Sequence, residues 1–240
     1  MRSLIVLQNT ESEFLGLLED HLEGRGIRFQ YVRPVTGSVL VIPRTAADAD
    51  GLIVLGGGPW GAVSEPVLPG IGREVALVRD FLDEGRPVIG IGLGAQILGL
   101  AADGRAVAHP FEFRVERGRR TRPDALNGFL PESFPIISYM RDRIEPPAEA
   151  TVLATGEDGH PAVFQLAGNC LGFAGHPGCK PGILEDLLME FGDAPDDFGE
   201  RLEAARKAQH EVADALVPMM TGIVQITGLM RPQDDPGGRP

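Results

Sequence analysis

The sequence predicts an α/β fold of three layers, built on a mostly parallel central sheet, with a small antiparallel extension and a C-terminal helical appendage. Two observations predict it. Short apolar runs alternate with amphipathic stretches from Ser3 to Ala102, the pattern of parallel strands joined by covering helices. From Arg105 to Phe173 shorter β-like pieces then follow one another without intervening helices, which favours antiparallel pairing.

Ser3 to Leu7 reads as the first strand, Glu13 to Leu22 as a helix ending at Gly24 and Gly26, and Phe29 to Val32 as the second strand. Gly51 to Leu55 is a wholly apolar run that breaks into Gly56-Gly57-Gly58-Pro59, as a buried parallel strand does at its carboxyl end. A helix over Ile71 to Glu84 leads to the strand Pro87 to Ile91, which turns through Gly92 and Gly94 into a helix over Ala95 to Ala102. The antiparallel pieces are Phe111 to Glu116, Pro135 to Tyr139, Thr151 to Ala154, Ala162 to Leu166 and Cys170 to Phe173. A helix from Gly182 to Phe191 completes a domain spanning 1–192. Phe198 to Leu216 has helical periodicity and Val217 to Met230 is apolar, so 193–230 reads as a helical extension, with 231–240 a disordered tail. On an open α/β sheet, ligands bind beyond the carboxyl ends of the strands.

Composition narrows the function classes. The 240 residues carry 34 acidic and 22 basic side chains, a net charge of -12, which repels nucleic acid and anionic lipid. No apolar run reaches the roughly 20 residues of a membrane helix, and the N-terminus enters a strand directly, so the expectation is a cytoplasmic protein. Cys170 and Cys179 are too few for a disulfide framework. No metal site or cofactor is expected. A His176 and Cys179 pair would need distant His109, His160 or His210 to complete a zinc set.

The motif with most chemical content is Gly90-Ile91-Gly92-Leu93-Gly94-Ala95-Gln96, a sharp strand-to-helix turn with small neighbours, the way a nucleophile elbow is built. Alone it is better read as a tight βα turn or a phosphate loop. In context the sequence resembles the class I glutamine amidotransferases, especially the group similar to the glutaminase domain of GMP synthase, where the turn reads Gly-Ile-Cys-Leu-Gly-Ala-Gln. Three further stretches match in order. Gly56-Gly57-Gly58-Pro59 resembles the oxyanion loop, and Ser138-Tyr139-Met140-Arg141-Asp142 the aromatic-His-x-Asp segment. Gly172-Phe173-Ala174-Gly175-His176-Pro177-Gly178 resembles the Gly-x-x-x-His-Pro-Glu segment. The resemblance covers residues 1–192 and implies the flavodoxin-like amidotransferase fold.

It also implies that the glutaminase machinery is lost. Glutamine hydrolysis in the family needs a thiolate, a histidine to move protons and a carboxylate to orient it. Here Gly92 stands at the cysteine position, His176 remains, and Gly178 stands at the glutamate position, so nothing in the motif is expected to fix the imidazole tautomer. Met140 replaces a histidine and offers no strong hydrogen bond. Gly57, Gly58, Leu93, Gln96 and Met140 are then vestigial ligand-binding positions, with Gly57, Gly58 and Leu93 still able to present amide N–H groups. Cys179, three residues after His176, is a conceivable replacement thiol with unsuitable geometry. Trp60 is either a pocket wall or a lid.

The leading expectation is therefore a catalytically inactive amidotransferase-like subunit, a structural or regulatory partner in an enzyme complex. The alternatives are an enzyme of altered chemistry or with a partner-completed site, and an ammonia-handling subunit without glutaminase activity. The apolar residues of 198–230 suggest a partner subunit or a second copy docked there, since methionine-rich apolar surface is rarely left open. A small-molecule ligand near Gly57, Gly92 and His176 remains open.

Overall fold

A computed structural model describes residues 2–36, 39–40, 42–43, 45–192 and 194–230. In chain order the elements are β1 (Ser3–Leu7), α1 (Leu17–Glu23), β2 (Arg28–Val32), β3 (Val35–Thr36), β4 (Val39–Leu40), β5 (Gly51–Val54), α2 (Ile71–Asp83), β6 (Val88–Ile91), α3 (Leu93–Ala101), β7 (Arg105–Val107), β8 (Glu112–Arg120), β9 (Ser133–Met140), β10 (Arg143–Glu145), β11 (Thr151–Thr155), β12 (Pro161–Leu166), β13 (Cys170–Phe173), α4 (Pro181–Phe191) and α5 (Phe198–Ile226). Nine strands form one sheet in the order β2-β1-β5-β6-β13-β12-β11-β8-β9. The pairs from β2 through β13 are parallel, and those from β13 through β9 are antiparallel. The predicted parallel sheet and antiparallel extension are thus two halves of one sheet.

Period-two alternation sends Leu4 and Val6 to one face and Ile5 and Leu7 to the other. The first face packs under α1 and the C-terminal half of α5, through Leu18, Leu22, Leu216, Met219 and Ile223. The second packs under α2 and α3, through Leu77, Phe81, Ile97 and Leu98. These are the three layers. Among the described residues no helix is long and apolar enough to cross a membrane.

Two expectations need correction. The first helix starts at Leu17 and not at Glu13, because Gly16 adopts φ 61°, ψ −124° and breaks the chain direction. Residues 8–16 form instead a loop over the carboxyl ends of β1 and β5. At the other end, one helix of 29 residues runs from Phe198 through Pro218 to Ile226, longer than the predicted 198–216. Its first turns lie on α4, β8 and β9, with Phe198, Ala205 and Val212 buried beside Phe113 and Leu187. Its last turns bury Met219, Met220, Ile223 and Val224 in the chain's own core. Gly222 lets the helix approach the turn at 125–128 closely, since a Cβ there would lie 2.5 Å from the Leu126 carbonyl oxygen. The apolar run that suggested a docking surface is therefore core, and burial of four such side chains stabilises by roughly 1.5–3 kcal/mol each. The tail 231–240 lies outside the described residues.

Candidate functional site

Four neighbouring parallel strands, β1, β5, β6 and β13, end on the same side of the sheet, and the loops that leave them converge. They carry residues 8–16, 55–60, 92–94 and 174–179. The sequence-predicted positions Gly57, Gly58, Gly92, Leu93, His176 and Gly178 lie on three of these loops; the fourth, 8–16, carries the side chain that sequence reasoning missed.

Gly92 sits at φ 57°, ψ −118°, directly before the first turn of α3. That conformation is strained for any residue with a Cβ and is natural for glycine. Space is not the obstacle, since an added Cβ would have the Gly56 Cα at 3.5 Å as its nearest neighbour. The chain bends sharply here, and the residue at the bend is a glycine. Leu93 is buried with its side chain against Gly57, where a Cβ would meet it at 2.5 Å. Phe191 of α4 closes in the same way over Gly58, at 2.9 Å from a would-be Cβ.

The histidine is held by backbone on both ring nitrogens. His176 Nε2 lies 2.7 Å from the Phe14 carbonyl oxygen, and His176 Nδ1 lies 3.2 Å from the Gly178 amide nitrogen. A carbonyl only accepts and an amide N–H only donates, so the ring is the neutral Nε2–H tautomer. This corrects the expectation that nothing fixes the tautomer: with no carboxylate at position 178, two main-chain groups do it. Burial lowers the imidazole's pKa to about 4, against a smaller opposing effect of the Phe14 carbonyl. The ring is a weak base with its only free lone pair already engaged.

Glu13 is 6% exposed, and its Oε1 accepts a 3.0 Å hydrogen bond from the Gly56 amide. Burial raises its pKa to about 7; the amides of Gly56 and Gly58 favour the ionised form, and the charge of Glu190 opposes it. The carboxylate is packed so closely on the glycine loop that a Cβ on Gly56 would fall 2.3 Å from Oε1. Beyond it, the Leu17 amide donates to the Gly178 carbonyl at 2.9 Å, and a Cβ at Gly178 would lie 3.0–3.2 Å from the backbone of Leu15, Leu17 and Leu18. The segment 13–18 thus touches the glycine loop through Glu13, the histidine through Phe14 and position 178 through Leu15 to Leu18. Glu190 fixes the segment by accepting from the amides of Glu11 and Ser12 at 2.9 and 3.0 Å, and the Tyr31 hydroxyl accepts from the Leu15 amide at 3.0 Å.

What remains between these groups is small. The cavity lined by Glu13, Gly92, Tyr139, His176, Cys179 and Leu187 leaves about 20 Å³ for the centre of a water molecule, room for about one water. Cys179 is 2% exposed, and burial, with the Glu13 charge second, pushes its thiol far above the usual range, so it supplies no thiolate. Among the described residues, no three His, Cys, Asp or Glu side chains are placed to hold a metal ion.

Two of the predicted positions are elsewhere. Met140 lines a different concavity, inside the curl of the antiparallel strands with Glu112, Arg114, Arg143 and Asp158, and only Ser138 and Ala174 border both spaces. The alternation along β9 explains this, since Tyr139 faces the Gly92 side and Met140 the other. Gln96 is fully buried; its Nε2 donates to the Arg141 and Asp142 carbonyls at 2.8 and 3.2 Å, and its Oε1 has no partner. It pins the segment after β9. Asp142 secures the same segment by accepting from the amides of Val63, Ser64 and His109 at 2.8, 3.0 and 3.3 Å. Burial alone would raise its pKa, but the Ser64 hydroxyl and these amides hold it below the usual carboxylate range. Trp60 is half-buried and packs with the α2–α3 core, a wall of that layer and not a lid.

The family Glutamine amidotransferase class-I matches residues 6–189. The chain belongs to the class I glutamine amidotransferases. It is 30% identical over 211 residues to a GMP synthase [glutamine-hydrolyzing] of Aeropyrum pernix, covering 78% of this chain but only 38% of that protein. Among solved structures, a glutamine amidotransferase from Methylobacillus flagellatus superposes with a TM-score of 0.79 at 21% identity, over 94% of this chain and 95% of the other. One from Thermotoga maritima gives 0.76 at 19% identity, over 94% and 98%. The fold of this amidotransferase domain is that of its relatives, including the antiparallel extension.

Besides Glu13, sequence reasoning missed Glu74 of α2, which has no exposed surface and meets Asn9 Nδ2 at 3.3 Å through one oxygen while the other has no partner. Burial raises its pKa to about 8, opposed by Asn9. The signal for Glu13 was available in Gly16, which interrupts the helical pattern and places 13–16 in a loop. The signal for Glu74 is its place in the period of α2, since Leu77, Val78 and Phe81 follow at i+3, i+4 and i+7 on the buried face.

Proposed function

We propose that this chain is an amidotransferase-fold subunit without glutaminase activity, serving as a structural or regulatory partner in an enzyme complex. Gly92 carries the reading: at the elbow where the family's motif has its cysteine, the backbone bend is kept and no nucleophile is present. The rest of the site agrees. His176 is neutral and committed to main-chain partners, Gly178 abuts the start of α1, and the cavity beside them has room for about one water. Two missing triad members lower hydrolysis by several powers of ten, to a level set by whatever binding groups remain.

The partner role is supported by the GMP synthase relative, in which the matching region is a minor part of a longer polypeptide. With α5 folded onto the chain's own core, the docking surface belongs on the domain and not on an unpacked extension. The vestigial positions Gly57, Gly58 and Leu93 are structural in this reading.

The test is purification of the intact assembly under gentle conditions, its mass and constituents, and a glutaminase assay on the same fraction. A stable hetero-complex whose glutamate release does not depend on this chain is expected. Glutamine hydrolysis that follows this polypeptide as a lone chain overturns the proposal.

A further inference from the structure

Two buried acceptors sit where the 8–16 segment meets the sheet, with nothing to accept from. Asn9 and Glu13 of that segment hold the two ends of one peptide group: Asn9 Nδ2 donates to the Leu55 carbonyl at 3.4 Å, and the Gly56 amide donates to Glu13 Oε1 at 3.0 Å. Asn9 Nδ2 also donates to Glu74 Oε2 at 3.3 Å, so α2 joins the same grip. Because a carbonyl only accepts, the Leu55 oxygen fixes which way the Asn9 amide points, and Oδ1 is left as an acceptor. Neither Asn9 Oδ1 nor Glu74 Oε1 has a partner among the described residues, and both atoms are sealed from solvent. Buried polar atoms without partners are rare and costly. One proton on Glu74 satisfies both, since a carboxylic acid and a primary amide pair through two hydrogen bonds, each group donating once and accepting once.

The surroundings offer the carboxyl no counter-charge. β5, β6 and α3, which pack against α2, carry no charged side chain. On the 8–16 segment Glu11 is exposed and Glu13 is bound to Gly56, and Arg33 beside the segment donates to Gln8 Oε1 at 3.2 Å. The loop before α2 carries exposed Glu65. On α2 itself Arg73, Arg79 and Asp83 are exposed, and Asp80 accepts from the Ala46 amide. Burial therefore acts on Glu74 with no cation to offset it, and raises its pKa to about 8 against the opposing Asn9 bond.

We propose that Glu74 is the neutral acid partner of Asn9, its O–H donated to Asn9 Oδ1, and that this proton latches the head of the 8–16 segment to α2 and the sheet. When the proton passes to solvent, the carboxylate left behind has one donor and no cation, so it ionises only as water reaches it. The way in is past Asn9, the half-buried member of the pair. Lifting Asn9 frees one end of the Leu55–Gly56 peptide, in the segment that covers His176 through Phe14. The latch is thus closed at acid and neutral pH and loosens as pH rises through the folded pKa. This goes beyond the non-catalytic reading and does not depend on it.

Hydrogen exchange of the full-length protein, followed by mass spectrometry at pH 7 and pH 9, is the test. Glu74→Gln keeps both hydrogen bonds, with an amide N–H in place of the O–H, and cannot ionise. The exchange rate of residues 8–16 in the parent, divided by that in the variant, is expected to rise about tenfold between the two pH values. The division cancels the intrinsic pH dependence of exchange and the titration of Glu13, which both proteins share. A ratio that stays constant overturns the proposal. Should the variant not fold, the parent decides by NMR. The Glu74 carboxyl carbon is expected to titrate near pH 8 and to carry the Asn9 side-chain amide resonances with it. Titration near the ordinary 4.5, or an Asn9 amide that stays still, overturns the proposal equally. Neither measurement reads glutaminase activity, so failure here is distinct from failure of the proposed function.

Discussion

Substituting Gly92→Cys restores the residue type that the family's motif has at the elbow, and the structure says what that change does and does not bring. The new Cβ is sterically admitted, with 3.5 Å to the nearest heavy atom. The cost is conformational, because φ 57°, ψ −118° lies where a side-chain-bearing residue is strained by about 1–3 kcal/mol. For a chain of this size, about 2 kcal/mol is a fall of roughly 4–8 °C in melting temperature. The thiol gains no base: His176 Nε2–H is given to Phe14, Nδ1 accepts from Gly178, and the ring's pKa is lowered to about 4. The expected result is a less stable protein whose new thiol is alkylated by iodoacetamide only slowly and which releases no measurable glutamate from glutamine. Differential scanning calorimetry and a coupled glutamate assay read both parts. Turnover near the roughly 10 s⁻¹ typical of enzymes refutes the claim that the histidine is unavailable, and an unchanged melting temperature refutes the claim that the bend is strained.

Other consequences are open to direct measurement. Gly178→Glu places a Cβ 3.0–3.2 Å from the backbone of Leu15 to Leu18, so it is expected to lower stability by about 1–3 kcal/mol without creating activity, alone or with Gly92→Cys, as denaturant titration will show. Glu13 and Glu74 have folded pKa values raised to about 7 and about 8, so their contribution is complete below pH 4.5 and is lost as pH rises through those values. His176, lowered to about 4, acts oppositely, its contribution present above pH 6.5 and lost as pH falls toward 4. Between pH 6.5 and 8 only the carboxyls act, so the protein is expected to lose on the order of 2–3 kcal/mol over that window, and Glu13→Gln with Glu74→Gln to flatten the loss in unfolding curves at the two pH values. Met220→Ala, at a fully buried position of α5, is expected to cost about 2–5 kcal/mol, and a chain ending at Leu216 to aggregate; a soluble, cooperative truncation would return 217–230 to a docking role.

The strands and the order of layers were legible because their signals are local. Apolar runs ending in glycine turns mark β5 and β6, and β13 matches its predicted bounds of Cys170 to Phe173. Where the reading failed, a non-local contact decided. A helix period begins well before Leu17, but Gly16 turns the chain and Glu13 is drawn to the Gly56 amide, a partner 43 residues away. The apolar run after Leu216 has the same composition whether it meets a partner or its own sheet, and only the close approach of Gly222 to Leu126 shows which. Tautomer is likewise invisible to sequence, because main-chain groups of Phe14 and Gly178 set it.

On the proposed reading, restoring single residues is a poor route to activity. A strand-to-helix bend is a property of backbone, so it persists with glycine at its apex and without the strain a nucleophile would impose. The acid position is different, since the room for a side chain at 178 is taken by the start of α1, tied down by the Leu17 amide at 2.9 Å from the Gly178 carbonyl. The oxyanion loop is different again, its Gly56 amide satisfied by Glu13. Two of these elements, the acid position and the oxyanion loop, are met by residues 13–18, as is His176 through Phe14, and that segment is held by Glu190 through Glu11 and Ser12 and by Tyr31 through Leu15. On the proposed reading, activity would require moving this segment as a unit, which involves breaking those three hydrogen bonds together with the ones to His176, Gly56 and Gly178. A substitution at Gly92 leaves every one of these contacts in place, and one at Gly178 presses on the backbone of Leu15 to Leu18 without freeing His176 or the Gly56 amide.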